Sequence, residues 1–325
     1  MVDIFFLLSG FVIAYAFEPR LSAGTGIATF TAMRLIRFYP LYILGTLIAF
    51  AVIYTALRDN GDEGAAQAIW QLVPQLVMIP SPPQLQTPDI YSFNNPAWTL
   101  FFELVVNLAY VLAFRLLQNT RILALVVVAC AVALALTDFT WPGANPGHRW
   151  DSALGGLARA SFGFFAGVLV FRVVGSPRKV DRPRSWASLL IVAVLPAYAL
   201  VPTVVETQAI TEFVLAGMLG IPLILAAQAV QPPKILEGLF LVLGRISYAL
   251  YILHYGLVLA AIRLDWRFNM PIELKPLAGI ALILVAASLA YVAERYYDRP
   301  VRKLIMSAMA RSRERRKQTA KTSAE

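Results

Sequence analysis

The sequence is poor in charged residues, histidine and cysteine. Only 14% of its 325 residues are charged, whereas 59% are hydrophobic, and the mean hydropathy is +0.67. A soluble domain carries about 25% charged residues, so this chain has too little polar surface to cover a water-facing globule. Cys130 is the single cysteine, which excludes an intrachain disulfide, and two histidines, His148 and His254, form no metal-ligand cluster. We therefore predict no metal site and no resident cofactor.

Long apolar runs take the place of the missing charge. A membrane-spanning helix needs roughly 20 apolar residues, and nine stretches approach that length. They are 4–17, 38–57, 99–116, 122–137, 154–174, 186–201, 211–230, 246–262 and 276–293. A further stretch, 69–79, contains Pro74 and precedes three more prolines, which favours an interfacial or re-entrant segment. We predict an all-α integral membrane protein with about nine transmembrane helices.

The basic residues are distributed unevenly between alternate loops. The net charge is +9, and the nine-helix arrangement puts 22 of the 28 Lys and Arg residues on one side of the membrane. Such asymmetry marks the cytoplasmic side, and it argues against a nucleic-acid partner, which would favour a continuous basic stripe. We expect a multi-pass membrane protein whose basic side, with the C-terminus, faces the cytoplasm. Residues 1–304 would form the membrane domain and 305–325 a basic, disordered cytoplasmic tail.

The first apolar stretch begins almost at Met1, and the charge asymmetry places that end outside. A simple explanation is an upstream helix that this sequence lacks, which would give ten helices with both ends inside. An in-frame apolar helix encoded just upstream of Met1 would support this hypothesis.

Two arginines precede the second apolar stretch. Arg34 and Arg37 are three residues apart, so on a helix they share one face. Paired guanidinium groups at a membrane surface suit a phosphate-bearing ligand, because each binds phosphate oxygens through two parallel hydrogen bonds. The alternative is that both arginines only anchor the helix on the cytoplasmic side.

Glu103 lies a few residues inside the third apolar stretch, and Asn107 follows on the same helix face. A carboxylate inside a membrane segment is costly and therefore a functional candidate. The alternative is a structural role as the partner of an inner arginine such as Arg159.

The eighth stretch carries a polar stripe. Ser247, Tyr251 and His254 recur at one helical face, and Tyr248 lies beside them. Such a face in a membrane helix points to protein or to a cavity, and a lone histidine there acts more often as a hydrogen-bonding partner than as a catalyst. In the fifth stretch, Gly163 and Gly167 form a small-residue pair that predicts close helix packing.

Five motifs in this order resemble the acyltransferase 3 family, membrane enzymes that O-acylate bacterial surface sugars. The motifs are DIFFLLSGF at 3–11, RLIR at 34–37 followed by FYPLY, WTLFFE at 98–103, GRISYALYILH at 244–254 and ERYYDRP at 294–300. The resemblance extends from Asp3 to Arg302 and implies ten helices, an acyl-CoA-type donor and a place in a bacterial inner (cytoplasmic) membrane. It assigns Arg34 and Arg37 to donor binding. The family's catalytic histidine lies on a first helix that has no counterpart among these residues.

The residues and the resemblance together predict a membrane O-acyltransferase. The expected reaction moves an acyl group, such as acetyl, from acyl-CoA to a hydroxyl of an extracytoplasmic carbohydrate or glycolipid. Glu103 and His254 are the candidate catalytic residues, and the remaining site-lining candidates are Trp98, Ser247, Tyr248 and Tyr251. The expected partners are acyl-CoA, the acceptor and membrane lipids. Two alternatives are a transporter or flippase of a lipid-linked or small polar substrate, and an inactive truncated remnant.

Overall fold

The computed structural model describes residues 2–58, 62–82, 88–140, 147–175, 187–190, 192–193, 219–228 and 230–322. Throughout these ranges the regular structure is helical, apart from one isolated bridge between Asp89 and Arg149. The predicted all-α membrane class is therefore confirmed.

Eleven α-helices are numbered here along the described residues. They are α1 (Val2–Ser22), α2 (Ile27–Arg58), α3 (Asp62–Leu76), α4 (Ala97–Leu112), α5 (Phe114–Leu117), α6 (Thr120–Thr140), α7 (Ala153–Val174), α8 (Leu219–Gln228), α9 (Lys234–Phe268), α10 (Lys275–Ala293) and α11 (Arg299–Thr322). A π-helical turn, Glu294–Asp298, joins α10 to α11, and two short 3₁₀ turns precede α7 and α10.

Six helical segments within the described ranges are long and apolar enough to cross a membrane. They are Val2–Ser22, Ile27–Arg58, Thr120–Thr137, Trp150–Val174, Lys234–Phe268 and Ile272–Ser312. The predicted span at 99–116 corresponds to the shorter apolar helix α4 followed by α5. Most of the predicted span at 186–201 lies outside the described residues, and so does part of the predicted span at 211–230. The number of transmembrane helices therefore remains a prediction.

Helix α2 begins eleven residues before the predicted span at 38–57. Gly24, with a φ of 92°, makes the turn after α1, and the residues up to Phe38 include good helix formers such as alanine, methionine, leucine and arginine. Arg34 and Arg37 therefore lie within α2 and not before it. The hydropathy pattern did not predict residues 27–37 as part of this helix, because their charged residues lower the mean hydropathy of the segment.

The basic tail differs from the expectation of disorder after residue 304. The structure continues α11 to Thr322. Alanine, arginine, lysine, glutamate and glutamine dominate this segment, and all of them have high intrinsic helix propensity. A composition too polar to build a core is thus still compatible with a single helix.

Most of the segment predicted at 69–79 belongs to a longer helix, α3. It begins at Asp62 and runs antiparallel to α2, because Ala68 clusters with Ala49 while Gln75 contacts Tyr42. The Tyr39 hydroxyl donates to the Leu76 carbonyl at 2.7 Å, which holds the end of α3 against α2. Pro74, in its last turn, cannot donate a hydrogen bond to the preceding turn, and the helix ends two residues later.

The chain divides into two compact units, of which unit 1 comprises residues 1–31, 80–91 and 98–241. In unit 1, α1 and α4 run parallel, since Phe6 contacts Trp98, Ser9 contacts Glu103 and Glu18 contacts Tyr110. Helix α7 is parallel to both. These helices are the first, third and fifth predicted spans, which an alternating topology requires to run in one direction.

Helices α1 and α7 pack backbone against backbone through glycine. A Cβ atom on Gly167 would lie 2.0 Å from the Leu7 carbonyl oxygen, and one on Gly10 would lie 1.9 Å from the Phe164 carbonyl oxygen. A Cβ on Gly163 would meet Phe6 at 2.7 Å. The close packing predicted from Gly163 and Gly167 is therefore confirmed.

Unit 2 comprises residues 32–79, 92–97 and 242–325. Here α2 and α9 run parallel, because Phe38 contacts Tyr248 near one end and Thr55 contacts Arg263 near the other. Between those contacts, Gly45 approaches the Ile252 carbonyl, to which the buried Asn94 amide donates at 3.1 Å. Arg34 and Arg37 lie at the beginning of this contact between α2 and α9.

Candidate active site

Each arginine of the α2 pair lies over an aromatic ring. The Arg34 guanidinium carbon is 4.6 Å from the centre of the Phe38 ring, and that of Arg37 is 5.3 Å from the centre of the Tyr248 ring. Cation–π contact holds the flat face of a guanidinium while its N–H edge stays able to donate hydrogen bonds. Both arginines are half-buried, so the pair is oriented by the protein and not merely solvated.

Tyr248 connects this pair to the polar stripe of α9. Its hydroxyl donates to the Phe38 carbonyl oxygen at 2.7 Å, and the two ring centres are 5.4 Å apart. The structure therefore brings together Arg34, Arg37 and Tyr248, which the sequence singled out separately. Phe38, buried beneath Arg34, was not singled out, although its place one turn after that arginine could have suggested the contact.

Asp298 and Arg302 add a buried ion pair in the same unit. Arg302 Nη2 lies 2.6 Å from Asp298 Oδ2, and the Asp298 side chain is 0% exposed. Asp298 ends the π-helical turn, a local irregularity that often accompanies functional sites. Sequence reasoning used the ERYYDRP motif for recognition and assigned these two residues no role.

The other stripe residues also make hydrogen bonds, two of them within α9. Ser247 Oγ donates to the Gly244 carbonyl at 3.0 Å, and the Tyr251 hydroxyl donates to the Pro96 carbonyl at 3.2 Å. His254 Nδ1 lies 2.6 Å from the Tyr251 carbonyl oxygen. A carbonyl oxygen can only accept, so Nδ1 is the donor of this hydrogen bond. The histidine is thus a hydrogen-bonding partner, and its catalytic role stays a prediction.

Glu103 and Trp98 belong to unit 1. Glu103 Oε1 accepts a 2.5 Å hydrogen bond from Ser9 Oγ. Trp98 is 6% exposed, and its ring centre is 6.3 Å from that of Phe6. The Arg159 guanidinium carbon lies 6.0 Å from the centre of the Trp98 ring. The predicted functional carboxylate is therefore held by a hydroxyl from α1, an element that sequence spacing could not connect with it.

Arg159 has an ion-pair partner that the sequence analysis did not name. Its Nε and Nη2 atoms donate to the two Asp3 carboxylate oxygens at 2.9 and 2.8 Å. Both side chains are almost wholly buried. A buried charge needs such a partner, and here it comes from 156 residues earlier in the chain.

Asn107 follows Glu103 by one helical turn, on the same face as predicted. It is buried, and within the described part of the chain neither its amide nitrogen nor its carbonyl oxygen has a hydrogen-bond partner. Three residues further on, the Tyr110 hydroxyl donates to Glu18 at 2.8 Å, and Glu18 in turn pairs with Arg172 at 2.7 Å. One face of α4 thus carries a file of polar groups inside unit 1.

Metal chemistry has no candidate ligand set among the residues described here: nowhere do three or more His, Cys, Asp or Glu side chains gather as an ion would require.

The predicted site residues fall into two groups by unit. Trp98 and Glu103 belong to unit 1, whereas Arg34, Arg37, Ser247, Tyr248, Tyr251 and His254 belong to unit 2.

Comparison with known proteins gives a match along most of the chain. A family model described as an acyltransferase domain matches residues 1–295. Protein 2 in the picA locus of Rhizobium radiobacter is 34% identical over 152 residues, which covers 42% of this chain and 78% of that protein. Acyltransferase MdmB of Streptomyces mycarofaciens is 33% identical over 137 residues, again 42% of this chain, and the chain spans about a third of its length (33%). No solved structure matches. The chain therefore belongs to the acyltransferase 3 family of membrane acyltransferases, as its motifs predict.

Proposed function

We propose that this protein transfers an acyl group, such as acetyl, from acyl-CoA to a hydroxyl of an extracytoplasmic carbohydrate or glycolipid. The observation that carries the proposal is the arginine pair of α2, with each guanidinium over an aromatic ring. Two guanidinium groups held in fixed orientations can bind the phosphates of a coenzyme A donor. An arginine that only anchors a helix at the cytoplasmic surface needs no such fixed orientation.

The chemistry needs a hydroxyl, a thioester and a base. The hydroxyl oxygen attacks the thioester carbonyl carbon, the C–O ester bond forms and the C–S bond breaks. The hydroxyl proton passes to the base and finally to the departing thiolate. Within this chain the candidate bases are the Glu103 carboxylate, held by Ser9, and Nε2 of His254.

The place of the protein in the cell is part of the proposal. We infer from the basic loops and tail that the C-terminus lies in the cytoplasm and the protein in the inner membrane. Coenzyme A is cytoplasmic and charged, so its phosphates would stay at the arginine end of α2 while the thioester arm enters the helix bundle. The acceptor would approach from the opposite side.

The decisive experiment measures transfer by the purified chain in lipid nanodiscs. Radiolabelled acetyl-CoA is supplied with a membrane sugar fraction, and Arg34→Ala and Arg37→Ala are compared with Arg58→Ala, an exposed arginine at the far end of the same helix. A charge-assisted hydrogen bond contributes about 1.5–3 kcal/mol. We therefore expect each of the first two changes to lower transfer at limiting donor about ten- to hundredfold, and the third to have little effect.

Two outcomes would overturn the proposal. One is transfer that stays unchanged in both Arg34→Ala and Arg37→Ala. The other is uptake or flipping of a lipid-linked sugar into sealed vesicles without any consumption of acetyl-CoA, which would favour a transporter. Thermal unfolding of each variant in detergent separates loss of donor use from loss of folding.

A further inference from the structure

The turn between α9 and α10 forms a cavity with both apolar and polar walls. The cavity has a volume of about 520 Å³ and is lined by Asp265, Trp266, Asn269, Met270 and Lys275. All five residues belong to unit 2. Ligand sites in proteins have volumes of about 300–1,000 Å³ and combine apolar surface with a few polar groups. The size and the lining of this cavity therefore suit a ligand.

The cavity is built at the end of a helix that is held in place. Asn269, with a φ of 45°, follows the last residue of α9 in the left-handed conformation, which ends the helix. A short 3₁₀ turn then leads into α10. Just before the cavity, Arg263 donates to the Val52 carbonyl at 3.1 Å and to Thr55 Oγ1 at 2.7 Å. These contacts hold the end of α9 against α2.

The charged side chains of the lining neutralise each other. Lys275 Nζ donates to Asp265 Oδ2 at 2.9 Å, which links the start of α10 to the end of α9. The other carboxylate oxygen, Oδ1, has no hydrogen-bond partner among the described residues, so the carboxylate has unused capacity to accept a hydrogen bond. A lining without net charge suits an uncharged polar ligand better than a phosphate, which requires an excess of positive charge.

Trp266 adds a flat apolar surface to this polar lining. Its side chain is 82% exposed, and Asn269 is exposed as well. A sugar ring presents C–H groups on its faces and hydroxyl groups around its edge. An aromatic ring covers the faces, while a carboxylate and an amide exchange hydrogen bonds with the hydroxyls. A tryptophan that only anchors a helix at the lipid interface needs no such polar neighbours.

The cavity lies far along α9 from the arginine pair of α2. Arg37 lies over Tyr248, and a rise of about 1.5 Å per residue puts Asp265 about 25 Å farther along α9. That distance is close to the hydrocarbon thickness of a bilayer, about 30 Å. If the arginine pair binds the donor at the cytoplasmic side, the cavity lies on the side from which the acceptor approaches.

We propose that this cavity is a docking site for the sugar part of the acceptor. Trp266 stacks on a sugar ring, and Asp265 and Asn269 bond to its hydroxyls. The inference rests on the proposed function, which supplies the acceptor and its side of the membrane. Because the cavity is distant from the arginine pair, it binds a part of the acceptor away from the reacting hydroxyl. Its residues therefore determine specificity and take no part in the chemical step.

The first test measures carbohydrate binding by the intact protein in nanodiscs of neutral lipid. The probe is an array of defined uncharged oligosaccharides from bacterial envelopes. The variants are Trp266→Ala and Asn269→Gly, since glycine keeps the positive φ and removes only the side chain. The matched control is Phe268→Ala, an aromatic residue that is 70% exposed in the last turn of α9 but does not line the cavity.

We expect the wild type to bind at least one oligosaccharide of the array. Trp266→Ala should weaken that binding about tenfold and Asn269→Gly about two- to tenfold, from the loss of ring contact and of a hydrogen bond. Phe268→Ala should change it less than about twofold. A wild type that binds no oligosaccharide would overturn the inference, and so would equal losses in Trp266→Ala and Phe268→Ala.

The second test separates docking from a structural defect. Steady-state acetyl transfer is measured with the membrane sugar fraction as acceptor. Trp266→Ala should raise the KM for the acceptor about fivefold or more, while kcat and the KM for acetyl-CoA stay within about twofold. A fall in kcat at unchanged acceptor KM would contradict a docking role. Should Trp266→Ala unfold, Asn269→Gly decides the proposal by the same two readouts.

The failure of this inference differs from the failure of the proposed function. If the wild type transfers no acetyl group yet binds an oligosaccharide through Trp266, the proposed function falls and the carbohydrate site stands. If the wild type transfers acetyl and both cavity variants behave as Phe268→Ala, only the present inference falls. If Trp266→Ala and Phe268→Ala destabilise the protein equally in nanodiscs and leave oligosaccharide binding unchanged, Trp266 is a lipid anchor and the inference is also overturned.

Discussion

The Tyr248 hydroxyl donates to the Phe38 carbonyl oxygen at 2.7 Å while the Tyr248 ring lies beneath the Arg37 guanidinium. One side chain of α9 thus contacts α2 twice and orients an arginine of the proposed donor site. The two contacts use different parts of the tyrosine, the hydroxyl and the ring, so two substitutions can separate them.

Tyr248→Phe should leave donor use nearly intact, whereas Tyr248→Ala should impair it. The phenylalanine keeps a ring under Arg37 and loses a hydrogen bond that contributes about 1 kcal/mol of stability. The alanine loses the ring as well, and a cation–π contact contributes about 0.5–2 kcal/mol, so the donor KM should rise about two- to thirtyfold. Steady-state kinetics with purified protein measures both, and equal KM values for the two variants would count against the role of the ring.

Glu103→Gln should reduce acyl transfer at normal expression and folding. The amide keeps the shape of the side chain and still accepts the Ser9 hydrogen bond, but it cannot take a proton. We expect a loss of about a hundredfold or more in kcat, in the range of general-base catalysis. Ser9→Ala, which removes only the 2.5 Å hydrogen bond, should have a smaller effect. Full activity of Glu103→Gln would make the carboxylate structural.

Asp3→Ala should destabilise the protein strongly. It leaves the buried Arg159 guanidinium without its two short hydrogen bonds, and breaking a buried pair in this way costs about 3–5 kcal/mol. Replacing both residues by leucine should cost less than the single change, because no unpaired charge remains.

The matched control for that prediction is Asp151→Asn. Asp151 pairs with Arg149 at 3.2 Å, but both side chains are about half exposed, at 56% and 48%. An exposed pair contributes about 0–1 kcal/mol, so the melting temperature in detergent should barely change. Similar losses for Asp3→Ala and Asp151→Asn would disprove the importance of burial.

Gly167→Ala and Gly279→Ala should have opposite effects on stability. A Cβ on Gly167 would lie 2.0 Å from a backbone oxygen of α1, so α1 and α7 must separate. Among the described residues, a Cβ on Gly279 in α10 would meet no atom within 4 Å beyond its own helix backbone. Alanine in an open helical position stabilises by about 0.5–1 kcal/mol. Chemical or thermal unfolding of the two variants in detergent tests this contrast, which disappears if the α1–α7 contact is loose in solution.

Features that depend on neighbouring residues could be predicted from the sequence. Apolar runs indicated helices α1, α2, α6, α7, α9 and α10, since hydropathy over about 20 residues reports the solvent of a segment. The three-residue spacing of Arg34 and Arg37 predicted a shared face, because helical periodicity is local. The spacing of Gly163 and Gly167 likewise predicted a packing face, although not the helix that occupies it.

Features that depend on distant residues could not be predicted. Asp3 pairs with Arg159, Ser9 with Glu103, and Tyr248 with Phe38, at separations of 94 to 210 residues. Many carboxylates and hydroxyls were equally plausible partners. The choice among them depends on how each helix is rotated and shifted against its neighbours. The helical state of the tail was missed for another reason, because low hydropathy excludes a core and does not exclude helix.

The amino-acid sequence by itself determined that this chain forms helices in a lipid bilayer, because composition and the length of apolar runs set the solvent in which it can fold. Its motifs also indicated the family. Only the tertiary structure decided which charges meet: it paired Arg159 with Asp3 and Arg302 with Asp298, and placed Tyr248 beneath Arg37. The physical reason is that a side chain reaches a few ångströms, so a contact exists only after helix packing has brought distant segments into register.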